Sequence, residues 1–201
     1  MQRTRPQPLQ ELKAQEIFPA TTIHKAVLEF LRGRDDVVVF GAHAINAYVK
    51  EQRPTQEIDL LSTRTAKLAT ELRDYLNRKF RIFLLIRKLN KGNGRRIYQA
   101  MKSGDNHFLV DIRPVAKLPL AKNISQVPFL EPAELVANKL IAYHHRHEKP
   151  KADTDWRDIG MLLLTFPELK RETGLVAERL QTAGAKEAVF AVWKKLVAQE
   201  I

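Results

Sequence analysis

Val37-Val38-Val39-Phe40-Gly41-Ala42-His43, followed by Gln56-Glu57-Ile58-Asp59-Leu60-Leu61, is the stretch that decides how this chain folds. The run Val37 to Phe40 is β-branched, aromatic and uninterrupted, which predicts a strand buried on both faces. Gly41 ends it, and the Ala-rich segment Ala42 to Val49 predicts a helix. A strand that closes on Gly and opens into a helix offers backbone N–H donors and the positive end of the helix to an anion. Gly41 and Ala42 leave little side-chain bulk in the way. Gln56 to Leu61 alternates as a strand does, with Glu57, Asp59 and Leu61 on one face and Ile58 and Leu60 on the other. Two carboxylates therefore point the same way. Taken singly, each feature is ordinary: such acid pairs are commonly solvated strand faces, and strand-Gly-helix is a usual connection.

Working outward, Thr22 to Leu31 reads as a helix with Ile23, Ala26, Val27 and Phe30 at helical spacing, closed by Gly33. Thr65 to Phe80 is a second amphipathic helix, with Leu68, Leu72, Tyr75 and Leu76 inward. Three strands follow, Arg81 to Leu89, Arg95 to Met101 and His107 to Arg113. The turn-forming runs Lys91-Gly92-Asn93-Gly94 and Ser103-Gly104-Asp105-Asn106 separate them, which predicts an antiparallel meander. Strict alternation in the third strand puts Phe108, Val110 and Ile112 on one side and His107, Leu109, Asp111 and Arg113 on the other. Beyond Pro114 the composition loosens through Pro119 and Pro128. It then turns helical over Pro132 to His147, Asp155 to Leu164, Thr173 to Ala183 and Lys186 to Ala198. The expectation is an α+β fold, a mixed β-sheet with flanking helices over residues 1–125 and a helical region over 126–201, without internal repeats.

The 201 residues carry 44% hydrophobic and 28% charged side chains, a globular balance. Lys and Arg number 34 against 23 acidic residues, and the net charge of +11 favours a polyanionic partner such as nucleic acid or a nucleotide. The same charge also serves solubility. The chain has no Cys, which excludes disulfides, thiolate catalysis and thiolate-bound zinc. The basic start Met1-Gln2-Arg3-Thr4-Arg5-Pro6 is not followed by an apolar stretch of signal-peptide type. No run is long enough for a membrane span, so a cytoplasmic protein is expected.

Nucleotidyl transfer uses divalent metal ions to neutralise phosphates and align the attacking and leaving oxygens, and such hard cations take carboxylate oxygens. Two acids at i and i+2 on a strand, with a third from a neighbouring strand, meet that need: Glu57, Asp59 and Asp111. In this order and spacing the chain resembles the nucleotidyltransferase superfamily, most closely its AbiEii/AbiGii toxin-like branch. The match rests on Val38 to Ala44, Arg53 to Leu60, Val110-Asp111-Ile112, Glu134 to Leu140 and Asp155 to Ile159, and it spans roughly residues 22 to 165. The resemblance implies a nucleotidyltransferase-like sheet, with Glu57, Asp59 and Asp111 as ligands of Mg²⁺ or Mn²⁺. It implies a phosphate turn at Gly41 and Ala42, beside His43. It also implies an NTP substrate, a hydroxyl acceptor on RNA, protein or a small molecule, and a cognate antitoxin. The branch usually has Gly-Gly or Gly-Ser at the turn and Asp first in the acidic pair, where this chain has Gly41-Ala42 and Glu57.

Lys139 stands in an apolar helical stretch, where an ammonium needs an anion or must snorkel to the helix edge. By the resemblance it reaches a phosphate, assisted by Arg146 two turns on. Asp155 and Asp158 open the next helix; Asp155 reads best as a charge complementing the helix dipole, and Asp158 as a candidate catalytic base. His144, His145 and His147 lack the spacing of a metal site and read as a solvated helix end. Lys91 to Arg96 with Lys102 form a basic hairpin that either touches nucleic acid or keeps a sheet edge soluble. The leading expectation is a metal-dependent nucleotidyltransferase of toxin type. The alternative is a catalytically inactive relative that binds nucleic acid or protein.

Overall fold

A computed structural model describes residues 19–89, 92–100 and 106–199. The basic start, the Ser103-Gly104-Asp105 part of the second turn, and Lys91, Met101 and Lys102 lie outside the described residues. Helix α1 (Ala20–Leu31) buries Ile23, His24, Ala26, Val27 and Leu31, the spacing of one helical stripe. Strand β1 (Val37–Phe40) is buried over its first three residues and passes directly into α2 (Gly41–Tyr48). Strand β2 (Ile58–Ser62) keeps Ile58, Leu60 and Ser62 inward, and α3 (Thr65–Phe80) lays Leu68, Ala69, Leu72 and Leu76 on the sheet.

The meander is β3 (Leu84–Lys88), β4 (Arg95–Ala100) and β5 (Asn106–Pro114). The first of these starts later than expected because Arg81 caps α3 in the left-handed region, φ 52°. Two strands were not foreseen, β6 (Ala121–Ile124) and β7 (Val127–Leu130), so the sheet continues to Leu130, past the expected boundary at 125/126. Helices α4 (Pro132–Arg146), α5 (Lys151–Thr165), α6 (Leu175–Thr182) and α7 (Glu187–Ala198) follow, with a short 3₁₀ turn at Pro167–Leu169.

The described strands form one mixed seven-stranded sheet in the order β3-β4-β5-β2-β1-β7-β6. Pairing is antiparallel except where β2 meets β5 and β1 meets β7. The α+β mixed sheet with flanking helices is therefore what the chain forms. Its centre is β5-β2-β1, and that arrangement sets the candidate site. Helix α3 packs across β3, β4 and β5, over buried Leu84, Ile97, Val110 and Ile112.

One expected alternation is corrected. The β4–β5 register shifts between Ile97 and Tyr98: Ile97 faces Val110, but Tyr98 faces Phe108, so Leu109 is the extra residue of a bulge. Leu109 is thereby buried and Phe108, at 37%, exposed, the reverse of strict alternation. Phe108 thus shares the face of Asp111. Asp155 is a second correction: α5 starts at Lys151, so Asp155 lies inside the helix and fully buried, not at the helix opening.

Candidate active site

The parallel pairing of β2 with β5 puts Asp59 directly opposite Asp111, and the antiparallel pairing of β1 with β2 puts Phe40 opposite Asp59. The residue after Phe40 is Gly41, whose φ of +68° is left-handed. A Cβ there would stand 2.4 Å from Asp59 Oδ2, so both the backbone angle and the carboxylate require glycine. The turn and the acid predicted from separate motifs therefore touch.

Asp111 is 2% exposed. Its Oδ2 accepts from Arg113 at 3.3 Å and from Arg96 at 3.4 Å, while Oδ1 is buried without a hydrogen-bond partner. Arg113 also lies 3.8 Å from Asp59 Oδ1 and rests over the Phe40 ring, 5.0 Å from its centroid. Burial pushes the Asp59 carboxyl up to about 6; Arg113 opposes this, and the neighbouring charges of Glu57 and Asp111 add to it. Two carboxylates crowded beside each other, one with an orphaned oxygen, form a donor set suited to a hard cation.

Glu57 precedes the first residue of β2 and is half-buried. Among the described residues no three His, Cys, Asp or Glu side chains gather at metal-holding spacing, so the pair Asp59 and Asp111 is the part of the expected trio that the sheet brings together. Two carboxylates are a usual protein contribution to Mg²⁺, with waters and phosphate oxygens completing the shell.

The other expected residues form a separate network. Lys139 of α4 donates to Asp155 Oδ1 at 2.7 Å and lies 2.8 Å from Asp158 Oδ2. Arg146 holds Asp155 Oδ2 at 3.0 Å, and Arg53 grips Asp158 with two hydrogen bonds of 2.9 and 2.8 Å. Burial works against a charged Asp158, but the Arg53 hydrogen bonds and the Lys139 ammonium outweigh it and hold the carboxyl below its ordinary range. An acid held ionised by two cations is a weak proton acceptor, which suits a structural tie between α4, α5 and the segment before β2.

His43 faces elsewhere too. Its Nε2 stands 2.6 Å from Thr55 Oγ1 and 3.0 Å from His24 Nδ1, at the edge of a cavity of about 1350 Å³ also lined by Arg53. Burial, with the charges of His24 and Arg53 adding to it, pushes the ring's pKa down to about 4, so His43 is neutral near pH 7. Sequence reasoning placed Arg96 only in the basic hairpin and gave no site role to Arg113 or Arg53. Arg113 was within reach of the rule used for Glu57 and Asp59, since it lies two residues beyond Asp111 on one strand.

The model of the AbiEii nucleotidyl transferase toxin family, of a type IV toxin–antitoxin system, matches residues 26–198. This chain belongs to that family. The AbiEii match takes in the turn, both carboxylates and the α4–α5 network. No curated protein matches the chain. Among solved structures, the Megavirus polyadenylate synthase is similar with a TM-score of 0.60 at 15% identity, over 74% of this chain and 32% of that one. The AbiEii chain thus spans about a third of that structure, and the likeness shows a nucleotidyltransferase fold. JHP933 from Helicobacter pylori aligns with a TM-score of 0.48 at 13% identity, over 89% of this chain and 90% of that one. A nucleotidyltransferase-like antigenic protein from Paracoccidioides brasiliensis aligns with a TM-score of 0.44 at 17% identity, over 88% and 89%. Among the described residues no helix is long and apolar enough to cross a membrane.

Proposed function

We propose that this AbiEii-family protein transfers a nucleotidyl group from an NTP to a hydroxyl acceptor at the Gly41–Asp59–Asp111 site. The observation that carries the reading is the in-register pairing of Asp59 with Asp111 beside the glycine turn, with one buried Asp111 oxygen left unpartnered. Asp59 and Asp111 would hold Mg²⁺ or Mn²⁺, which supplies charge neutralisation and alignment of the triphosphate. The turn offers backbone N–H donors from the start of α2, and Arg96 and Arg113 supply guanidinium groups beside the same carboxylates. In the transfer, the acceptor oxygen bonds to the α-phosphorus, pyrophosphate leaves and the hydroxyl proton is released.

The family also supports a cognate antitoxin as a partner and an NTP as substrate. A chain without Cys that consumes NTPs belongs in the cytoplasm. Incubation with each labelled NTP, Mg²⁺ or Mn²⁺ and total RNA tests the reading, with Asp59→Asn as the control. Absence of both transfer and calorimetric NTP binding would sink it.

A second reading, an inactive relative that binds nucleic acid or protein, draws on Arg96 and Arg113 already occupying Asp111 and on the lack, among the described residues, of a third carboxylate at metal-holding spacing. Mg²⁺-dependent NTP binding separates the two.

A further inference from the structure

Strand register sets Arg87, Arg96, Asp111, Asp59 and Phe40 in one row across β3, β4, β5, β2 and β1. All five therefore share a face of the sheet. Beside this row Tyr98 of β4 is paired with Phe108 of β5, and the bulge at Leu109 is what turns Phe108 onto this face.

Rings and guanidinium groups alternate here. Arg87 lies 5.9 Å from the Tyr98 ring centroid, Tyr98 and Phe108 meet edge to face at 6.1 Å, and Arg96 lies 4.8 Å over Phe108. Helix α3 covers the opposite, aliphatic face of these strands. Arg87, Phe108 and Arg113 are exposed.

This face alternates flat rings with guanidinium charge. Unpaired bases fit it: each base presents a π-face to stack, and each phosphate needs a cation. A duplex hides its base faces and gains little from rings on a sheet. The chain's net charge of +11 points the same way.

We propose that Tyr98 and Phe108, flanked by Arg87 and Arg96, form a stacking platform for the unpaired bases of a single-stranded nucleic acid. The row from Arg96 to Asp111 and Asp59 leads a strand's terminal hydroxyl to the acid pair. This second part rests on the proposed transfer; the platform itself does not.

Fluorescence anisotropy with labelled single-stranded RNA and DNA of about 12 nucleotides, and with the matching duplex, tests it on the full chain. Single strands bind more tightly than duplex, and affinity falls as salt rises. Phe108→Ala and Tyr98→Ala each weaken single-strand binding on the order of tenfold. Phe108→Leu, which keeps an apolar side chain but no ring, behaves like the alanine variant, and Tyr98→Phe retains affinity. The RNA and DNA arms identify the preferred sugar. Equal binding by wild type and Phe108→Ala, or preference for duplex, overturns the platform. So does a wild-type dimer in sedimentation that Phe108→Ala dissolves, since a second copy would then cover the face. Strand binding that depends on the rings, together with Mg²⁺-dependent NTP binding but no labelled transfer to the strand, supports the platform and overturns the delivery of its end. Loss of NTP binding instead marks failure of the proposed transfer.

Discussion

Gly41 answers to two demands at once, a left-handed φ of +68° and an Asp59 oxygen 2.4 Å from where a Cβ would stand. Gly41→Ala should therefore cost roughly 1–3 kcal/mol of stability and displace Asp59 as well. Denaturant midpoints and metal titration read the two effects, and an unchanged midpoint would remove the close approach from the account. Asp59→Asn and Asp111→Asn keep side-chain size but lose a charged ligand. Each is expected to lower Mg²⁺-dependent transfer by about 100-fold or more with the fold retained. Glu57→Asp keeps a negative charge beside Asp59 and only shortens the side chain, so turnover should change only a few-fold; loss of turnover together with Mg²⁺ affinity would show that the site depends on the length of Glu57. At this scale strand alternation and the glycine foretold the placement of Gly41, Asp59 and Asp111 next to one another. The sequence placed Arg96 in the basic hairpin but not beside Asp111, because only the β4–β5 pairing brings that guanidinium to the acid.

Helices α4 and α5 are tied by charges that both need partners. Asp155 and Asp158 are buried, and Lys139 contacts both. Lys139→Met keeps the apolar stem but leaves two buried carboxylates short of a cation, so it should destabilise the protein by about 3 kcal/mol or more. Thermal or urea unfolding measures this. Wild-type stability with weakened NTP binding would instead make Lys139 a phosphate ligand, as the family resemblance implies. Nothing in the spacing of Lys139 announced its partners, because the pairing needs α5 to begin at Lys151 and so carry Asp155 inside the helix. The β6–β7 hairpin was hidden for a different reason. Pro128 cannot donate to a ladder and normally argues against a strand, but β7 is only four residues long and meets β1 at Phe129.

Across the whole molecule, acid should act in two stages. Burial holds the rings of His43 and His24 below the ordinary histidine range, His43 at about 4. The unfolded chain takes protons near pH 6.5 while folded His43 does not, so stability is full above that pH and is lost as pH falls from about 6.5 to 4. Each tenfold difference in proton affinity is worth about 1.4 kcal/mol, which bounds the His43 share at roughly 3 kcal/mol. At lower pH, Asp158 and Asp36 contribute. Burial opposes their charge, but Arg53 with Lys139 and Arg34 with Arg64 outweigh it, so their stabilisation fades as pH falls through their lowered values. Asp59, raised by burial to about 6, binds its proton more tightly in the folded chain and so opposes the upper stage. That stage is therefore read as the difference between wild type and His43→Asn in chemical denaturation across pH, while the lower stage remains in both. An unchanged upper slope in that variant would assign it to other groups.

The parallel joining of β2 to β5 also has a consequence in time. Asp59 and Asp111 come from distant parts of the chain and become neighbours only when that ladder closes, around the long excursion through α3 and the meander. Local turns and helices form quickly, whereas such remote pairings close late. A ribosome-bound chain that ends before β5 carries the glycine turn and the first acid but not the second. The transfer proposed at these two acids therefore begins only after synthesis has passed β5, which gives any partner that must restrain it an interval in which to meet the nascent chain.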